Sequence, residues 1–308
     1  MKIVFLGTPD FACEALNSIA SSKHEVLAVV TQPDKPVGRK AILTPSPVKV
    51  LAQSKGIKTL TYNKIRVEGL NDLKALNPDI MVTCAYGQIL SREILDIAKY
   101  GVINIHASLL PKYRGASPIQ WAIINGDKTT GVTIMQTEEG VDTGDIIRVR
   151  EIEINKTETA GELFERLSKV GAELIVEVLD DFEKGNVSFV KQDESKATKV
   201  GIIKKEDGFI DFNNTSNNIV NLIRGLNPWP VAFTKYENKT LKIYSAEAVE
   251  YDGNVGEVVL SSINDGLVVG TKDGAIKINE LQLEGSRKMT VKEFLVGRKI
   301  PVGYKFGE

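Results

Sequence analysis

Residues 79–108 read DIMVTCAYGQILSREILDIAKYGVINIHAS, and their pattern decides the class of fold. DIMVTCAY (79–86) is a short, almost unbroken apolar run, and GVINIHAS (101–108) is a second. Runs of that length are the mark of strands buried on both faces. Between them the spacing predicts a helix near 91–99. The same alternation extends back to the start of the chain. KIVFLG (2–7) and HEVLAVVT (24–31) read as strands, and FACEALNSIASS (11–22) places Phe11, Ala15, Leu16 and Ile19 on one helical face. PSPVKVLAQSKG (45–56) reads as a helix with prolines in its first turn and a terminal glycine, and another helix is expected near 67–77. This is the rhythm of an α/β domain, a Rossmann-like and mostly parallel sheet with helices on both faces.

The rhythm changes after Trp121. GVTIMQTEEGVDTGDIIRVREIEI (131–154) alternates over two stretches separated by glycine turns, which predicts an antiparallel, hairpin-like extension. TETAGELFERLSKVGAELIVEVLDDFEKG (157–185) is the longest helical pattern, with Thr157 as its expected N-cap and Ala160 leaving the capping box incomplete. The first domain is therefore drawn over 1–189, a polar linker over 190–203 and a second domain over 204–308. In that last part, short β-branched runs broken by Gly, Asn and Asp predict a small β-barrel, with one early helix over 216–226.

Bulk composition excludes several classes. At 308 residues, two domains are the natural expectation. The formal net charge is -1, and residues 204–308 balance 14 basic against 14 acidic side chains, so composition does not announce a nucleic-acid partner. Any polyanion must be met by a local basic surface. The apolar run at the N-terminus is too short for a signal peptide, and no apolar stretch is long enough to span a membrane, so the expected compartment is the cytoplasm. Cys13 and Cys84 sit in apolar surroundings and are expected as reduced thiols.

Two histidines and two cysteines far apart in sequence give no metal-ligand spacing, and no metal site is expected. GTPDF (7–11) lacks the G-x-G-x-x-G pattern of a dinucleotide turn, and Pro9 removes an amide that a phosphate cradle would use. There is no G-x-S-x-G elbow to make Ser108 a nucleophile. His24, just before a strand, is expected at a surface or an edge. His106 stands apart. In I-N-I-H, Ile103 and Ile105 take one face of a strand while Asn104 and His106 take the other. At the carboxyl end of a parallel strand, both then point towards the crevice where open α/β sheets bind ligands. A carboxamide and an imidazole side by side can polarise a carbonyl and hold the oxygen charge of a tetrahedral intermediate. A carboxylate to orient the ring is sought in TEEGVDTGDI (137–146), where Asp142 lies between glycines and Asp145, Glu138 and Glu139 are rivals. The loop QPDKPVGRKAILTPSP (32–47) carries Lys35, Arg39 and Lys40 at a basic tip and reads as a solvated connection or as a phosphate contact.

Taken together, VFLGTPDFA, QPDKPVGR, AYGQIL, NIHASLLPKYRG, SPIQWAI, GVTIMQTEEGVDTGDI and NPWPVAF resemble the methionyl-tRNA formyltransferase family over essentially the whole chain. AYGQIL and SLLPKYRG alone mark only the wider group of enzymes that use 10-formyltetrahydrofolate. The resemblance implies transfer of a formyl group from 10-formyltetrahydrofolate to the α-amine of methionine on initiator tRNA, without a tightly bound cofactor. It places the catalytic pattern on Asn104, His106 and Asp142, and folate contacts on Ser108, Leu109, Leu110 and Pro111. It assigns tRNA contact to the 34–44 region, with Arg39, Lys35 and Lys40, and to an OB-like C-terminal barrel. Here the loop reads GRKAI where family members commonly read GRGKK. Competing expectations are a transformylase acting on a nucleotide sugar or small ribonucleotide, and an RNA-binding module with a vestigial catalytic domain. A monomer is expected.

Overall fold

The apolar run at the start of the chain forms β1 (Lys2–Gly7), in which Ile3, Val4, Phe5 and Leu6 are fully buried. Side chains of that kind each contribute about 1.5–3 kcal/mol when removed from water, which makes this strand a natural centre for the sheet. The strands that follow are β2 (Glu25–Thr31), β3 (Lys35–Val37), β4 (Ile42–Thr44), β5 (Thr59–Thr61), β6 (Ile80–Cys84), β7 (Val102–His106), β8 (Arg114–Gly115), β9 (Thr129–Gln136), β10 (Ile146–Glu153) and β11 (Lys199–Val200). A seven-stranded sheet runs in the order β10-β9-β7-β6-β1-β2-β5. The pairings from β5 to β7 are parallel, and those of β9 with β7 and β10 are antiparallel. The mostly parallel sheet with an antiparallel extension after Trp121 is thus present as expected. Strand order reverses between β1 and β6, the switch point beside which such sheets bind ligands.

The computed structural model describes residues 1–38 and 40–306. By packing, they divide into two units. One comprises Met1–Gly115, Thr129–Glu153 and Phe164–Val200, and the other Ala116–Lys128, Ile154–Leu163 and Gly201–Glu308. The helices up to the long one are α1 (Phe11–Ala20), α2 (Pro47–Ser54), α3 (Ile65–Glu68), α4 (Leu70–Leu76), α5 (Arg92–Leu95), α6 (Pro118–Ile124) and α7 (Ala160–Lys184). Ser46 caps α2 by accepting from Lys49 N, with Pro47 at the first helical position.

Several local expectations need correction. The helix expected near 91–99 is a single turn, α5, because Asp96 leaves the helical conformation (φ -89, ψ 3). The one expected near 67–77 is two short helices meeting at Gly69. The long helix is capped by Thr159 and not by Thr157. Thr159 Oγ1 accepts from Glu162 N at 3.3 Å, and Glu162 Oε2 accepts from Thr159 N at 2.8 Å, so the capping box is complete. Of the two threonines, only Thr159 has a glutamate three residues on. The 32–47 loop contains the β3–β4 hairpin, with Lys35 opposite Thr44 and Val37 opposite Ile42.

In the second unit, α8 (Ser216–Gly225) precedes β12 (Ala232–Tyr236), β13 (Lys239–Val249), β14 (Val258–Ser262), β15 (Gly266–Gly270), β16 (Ala275–Leu283), β17 (Met289–Thr290) and α9 (Val291–Gly297). The strands form a six-stranded antiparallel sheet, β12-β13-β16-β15-β14, with β17 on β16. Glu237 and Asn238, both with positive φ (48° and 62°), make the two-residue turn between β12 and β13. Ile219 and Ile223 of α8 join Leu241, Ile243, Val269, Ile276 and Ile278 in one core.

Candidate active site

Alternation along β7 places Ile103 and Ile105 in the interior and leaves Asn104 as its one half-buried residue. Thr83 of β6 lies opposite Asn104 in the parallel register. Its hydroxyl donates to Asn104 Oδ1 at 2.8 Å. With its oxygen turned to Thr83, the carboxamide offers its NH2 elsewhere. A threonine inside an otherwise apolar strand was the signal for this contact.

His106, the last residue of β7, is 6% exposed. Its Nε2 lies 3.0 Å from the carbonyl oxygen of Tyr113. A carbonyl only accepts, so Nε2 carries the hydrogen, and in the neutral ring Nδ1 is left bare. Asp142 Oδ2 lies 3.6 Å from that Nδ1. Two acceptors face each other at that separation, and a proton on Nδ1 turns the pair into an ion pair. Asp142 adopts a left-handed conformation (φ 53), and the same Oδ2 accepts from Gly115 N at 2.7 Å. The tight path of the loop depends on Gly144, where a Cβ would strike the carbonyl oxygen of Gln136. The carboxylate beside the ring is therefore that of Asp142. Its rivals Glu138 and Glu139 are exposed.

Of the 108–111 segment, Ser108 is fully buried, and its hydroxyl donates to Lys112 O at 2.6 Å. It closes the turn with its own side chain. Thr133 of β9, also fully buried, donates to Ser108 O at 2.6 Å and accepts from Leu110 N at 3.2 Å. These bonds tie the loop to the sheet, with Leu110 buried and Leu109 and Pro111 half-buried. Lys35 and Lys40 are exposed at the hairpin, and Arg39 lies outside the described residues.

Arg114 and residues of the stretch after α7 flank this pair. Arg114, 2% exposed, binds Glu194 at 2.6 and 2.9 Å and also contacts Gln192. The guanidinium holds the Glu194 carboxyl below its usual range. Tyr113 N donates to Thr198 Oγ1 at 2.8 Å, and β11 pairs with β8. Gln192, Glu194 and Thr198 fall in the stretch expected as a linker, where polar composition carried no signal of these contacts.

The other histidine corrects its expectation. His24 is not at the surface: its side chain is fully buried, with Nε2 3.2 Å from Asp180 Oδ1. Lys23 Nζ lies 3.0 Å from Asp180 and 2.6 Å from Glu183, so one ammonium bridges the two carboxylates beside the ring. Burial pushes the imidazole pKa of His24 down. Cys13 and Cys84 are free thiols. Among the described residues, no helix is long and apolar enough to cross a membrane.

The chain is similar to known proteins along its whole length. The formyl transferase family model matches residues 1–179, and the model of the formyl transferase C-terminal domain matches residues 202–299. The methionyl-tRNA formyltransferase of Geobacter metallireducens is 44% identical over 308 residues, covering 100% of this chain and 99% of its own. That of Caldanaerobacter subterraneus subsp. tengcongensis is 48% identical over 305 residues, covering 98% and 99%. A solved N-formyltransferase from Helicobacter canadensis, in complex with folinic acid and dTDP-3-aminofucose, shares the fold at a TM-score of 0.69. Its identity is 22%, covering 94% of this chain and 100% of that one. With identities this high at full length, and with both domain models matched in order, the chain belongs to the methionyl-tRNA formyltransferase family.

Proposed function

We propose that the protein transfers the formyl group of 10-formyltetrahydrofolate to the α-amine of methionine on initiator tRNA, acting in the cytoplasm as a monomer. The observation that carries this reading is the grouping of Asn104, His106 and Asp142 at the carboxyl edge of the sheet. The donor is a cosubstrate that arrives and leaves with each turnover.

In this reading the free amine attacks the formyl carbon, forming a C–N bond and a tetrahedral oxyanion. The Asn104 NH2 donates to that oxygen. The nitrogen that has attacked becomes positively charged and gives a proton to His106 Nδ1, bare because Nε2–H is engaged by Tyr113 O. Asp142 then faces an imidazolium at 3.6 Å and stabilises it. Collapse breaks the bond from the formyl carbon to the folate nitrogen, and the proton passes from the ring to that leaving nitrogen. Holding two substrates in one geometry supplies much of the remaining rate. Leu109, Leu110 and Pro111 border the folate, while Ser108 shapes their loop through Lys112 O. Lys35 and Lys40, with Arg39, meet tRNA phosphates, as does the C-terminal unit.

The test is transfer of labelled formyl from 10-formyltetrahydrofolate to methionyl initiator tRNA, with methionyl elongator tRNA as control. Formylation of the initiator species alone is expected. Inactivity on it, together with formylation of an amino sugar nucleotide, would replace this reading with that of a sugar N-formyltransferase.

A further inference from the structure

Gln192 makes contacts that a surface linker residue has no reason to make. Its Oε1 accepts from Arg114 Nε at 3.0 Å and from Arg114 Nη2 at 2.8 Å. Its Nε2 donates to the carbonyl oxygens of Asp142 at 2.9 Å and of Gly144 at 2.7 Å. A carboxamide has one acceptor oxygen with two lone pairs and two N–H donors, and all four capacities are used. Arg114 sets the direction. A guanidinium only donates, so the oxygen of Gln192 must face it and the NH2 must face the loop. Arg114 is itself held by Glu194 at 2.6 and 2.9 Å and is buried.

One of the two carbonyls is that of Asp142 itself and the other that of Gly144, two residues on, so both lie on the C-terminal side of the Asp142 Cα, which stands in a left-handed turn (φ 53), a conformation unfavourable to a non-glycine residue. A clamp there fixes the backbone from which the Asp142 carboxylate projects. The carboxylate end is anchored separately by Gly115 N, the residue after Arg114. Main chain and side chain of Asp142 are thus referred to the same short segment.

We propose that Gln192 is a positioning residue for formyl transfer: its amide, oriented by Arg114, holds the loop so that Asp142 stands beside His106. The proposal rests on the functional reading of the site given above. Removing the clamp shifts a charge that acts only when the imidazolium forms, so it lowers kcat and leaves substrate binding in place.

The test compares formyl-transfer kinetics and melting temperatures of the wild type with Gln192→Ala, Gln192→Glu, Asp142→Asn and the double variant Gln192→Ala/Asp142→Asn. Gln192→Ala is expected to lower kcat roughly 10- to 100-fold, the scale set by ångström-sized misplacement, with KM for both substrates within about twofold. Gln192→Glu keeps an oxygen for Arg114 but points an acceptor at two carbonyls, and is expected to be at least as slow. In the Asp142→Asn background, Gln192→Ala is expected to change kcat by less than about threefold, because it acts through a group already disabled. Losses that multiply in the double variant, or a rise in KM in place of a fall in kcat, overturn the positioning role. If Gln192→Ala melts below the assay temperature, Gln192→Met keeps the volume and carries the same comparison. An inactive wild type sinks the functional reading itself. A slow Asp142→Asn beside an unaffected Gln192→Ala sinks only the role of Gln192.

Discussion

Replacing Asp142 by Asn removes one charge and little else. The amide oxygen can still accept from Gly115 N, which binds the carboxylate at 2.7 Å, so the loop keeps its anchor. What is lost, on the proposed mechanism, is the attraction between a carboxylate and an imidazolium formed as His106 takes up the amine's proton. The two atoms are 3.6 Å apart, with side-chain exposures of 7% and 16%. Two unit charges at such a distance attract by about 4 kcal/mol at an effective dielectric constant of about 20. Water reaching Asp142 screens part of this, which leaves about 2–4 kcal/mol. With a tenfold rate change for each 1.4 kcal/mol or so, kcat is expected to fall by a factor between about 30 and about 1,000. In the proposed mechanism this charge acts on the imidazolium and not on the bound folate, so the folate KM is expected to stay within about twofold. Single-turnover formyl transfer at saturating methionyl-tRNA measures the step directly, and the melting temperature checks the fold. A rate within about threefold of wild type would refute the ion-pair argument.

Other consequences can be checked without tRNA or with simple kinetics. Thr133→Val removes a hydroxyl that serves Ser108 O and Leu110 N, and is expected to cost about 1–3 kcal/mol of stability and to raise KM for the folate donor more than it lowers kcat; unchanged denaturation would contradict the bonding scheme. Thr159→Ala is expected to cost about 1 kcal/mol by uncapping α7. The Thr159 backbone N–H holds the Glu162 carboxyl below its usual range, so that part of the cap is present above the ordinary glutamate pKa and is lost as pH falls beneath it; denaturation of Glu162→Gln should differ from wild type at neutral pH and converge with it in acid. Burial pushes the Cys13 thiol up to about 11 and that of Cys84 higher still, so iodoacetamide at neutral pH should label Cys84 only after unfolding; rapid labelling of the native protein, read by mass spectrometry, would show that Cys84 is not buried.

What was legible in the sequence divides by the range of the interaction. The strands of the sheet are local apolar runs, and Asn104 and His106 share a side of β7 by simple alternation, so both could be found from a few residues. Asp142 was one of four acids in a single loop, and the flanking Gly140 and Gly144 favour a tight path there without excluding Glu138, Glu139 or Asp145. The choice is made by the left-handed turn at Asp142 and by Gly115 N, a contact spanning 27 residues. The misplaced cap has a local cause, since Thr157 and Thr159 look alike until the glutamate at 162 is counted from each. The helix expected near 91–99 failed because its apolar spacing outlasts its backbone, which leaves the helix at Asp96.

The stretch after α7 offered the least to sequence reasoning, yet it holds both ends of the histidine–aspartate pair. Gln192 fixes the Asp142 loop through two carbonyls. Six residues later, Thr198 accepts from Tyr113 N at 2.8 Å through its hydroxyl, accepts from Arg114 N at 2.9 Å through its carbonyl, and donates to Pro111 O at 3.1 Å. Tyr113 is the residue whose carbonyl sets the His106 tautomer. One polar segment therefore positions the acceptor that keeps Nδ1 bare and the carboxylate that Nδ1 faces. With the ring neutral, a 3.6 Å gap between two acceptors has no attraction of its own to maintain it. It must be held by the backbone on either side, ready for the proton that makes it favourable. Its polar composition follows from this. A segment whose work is to satisfy carbonyls, an amide and a buried guanidinium needs glutamine, glutamate and threonine, and those are the residues that make a stretch read as a linker.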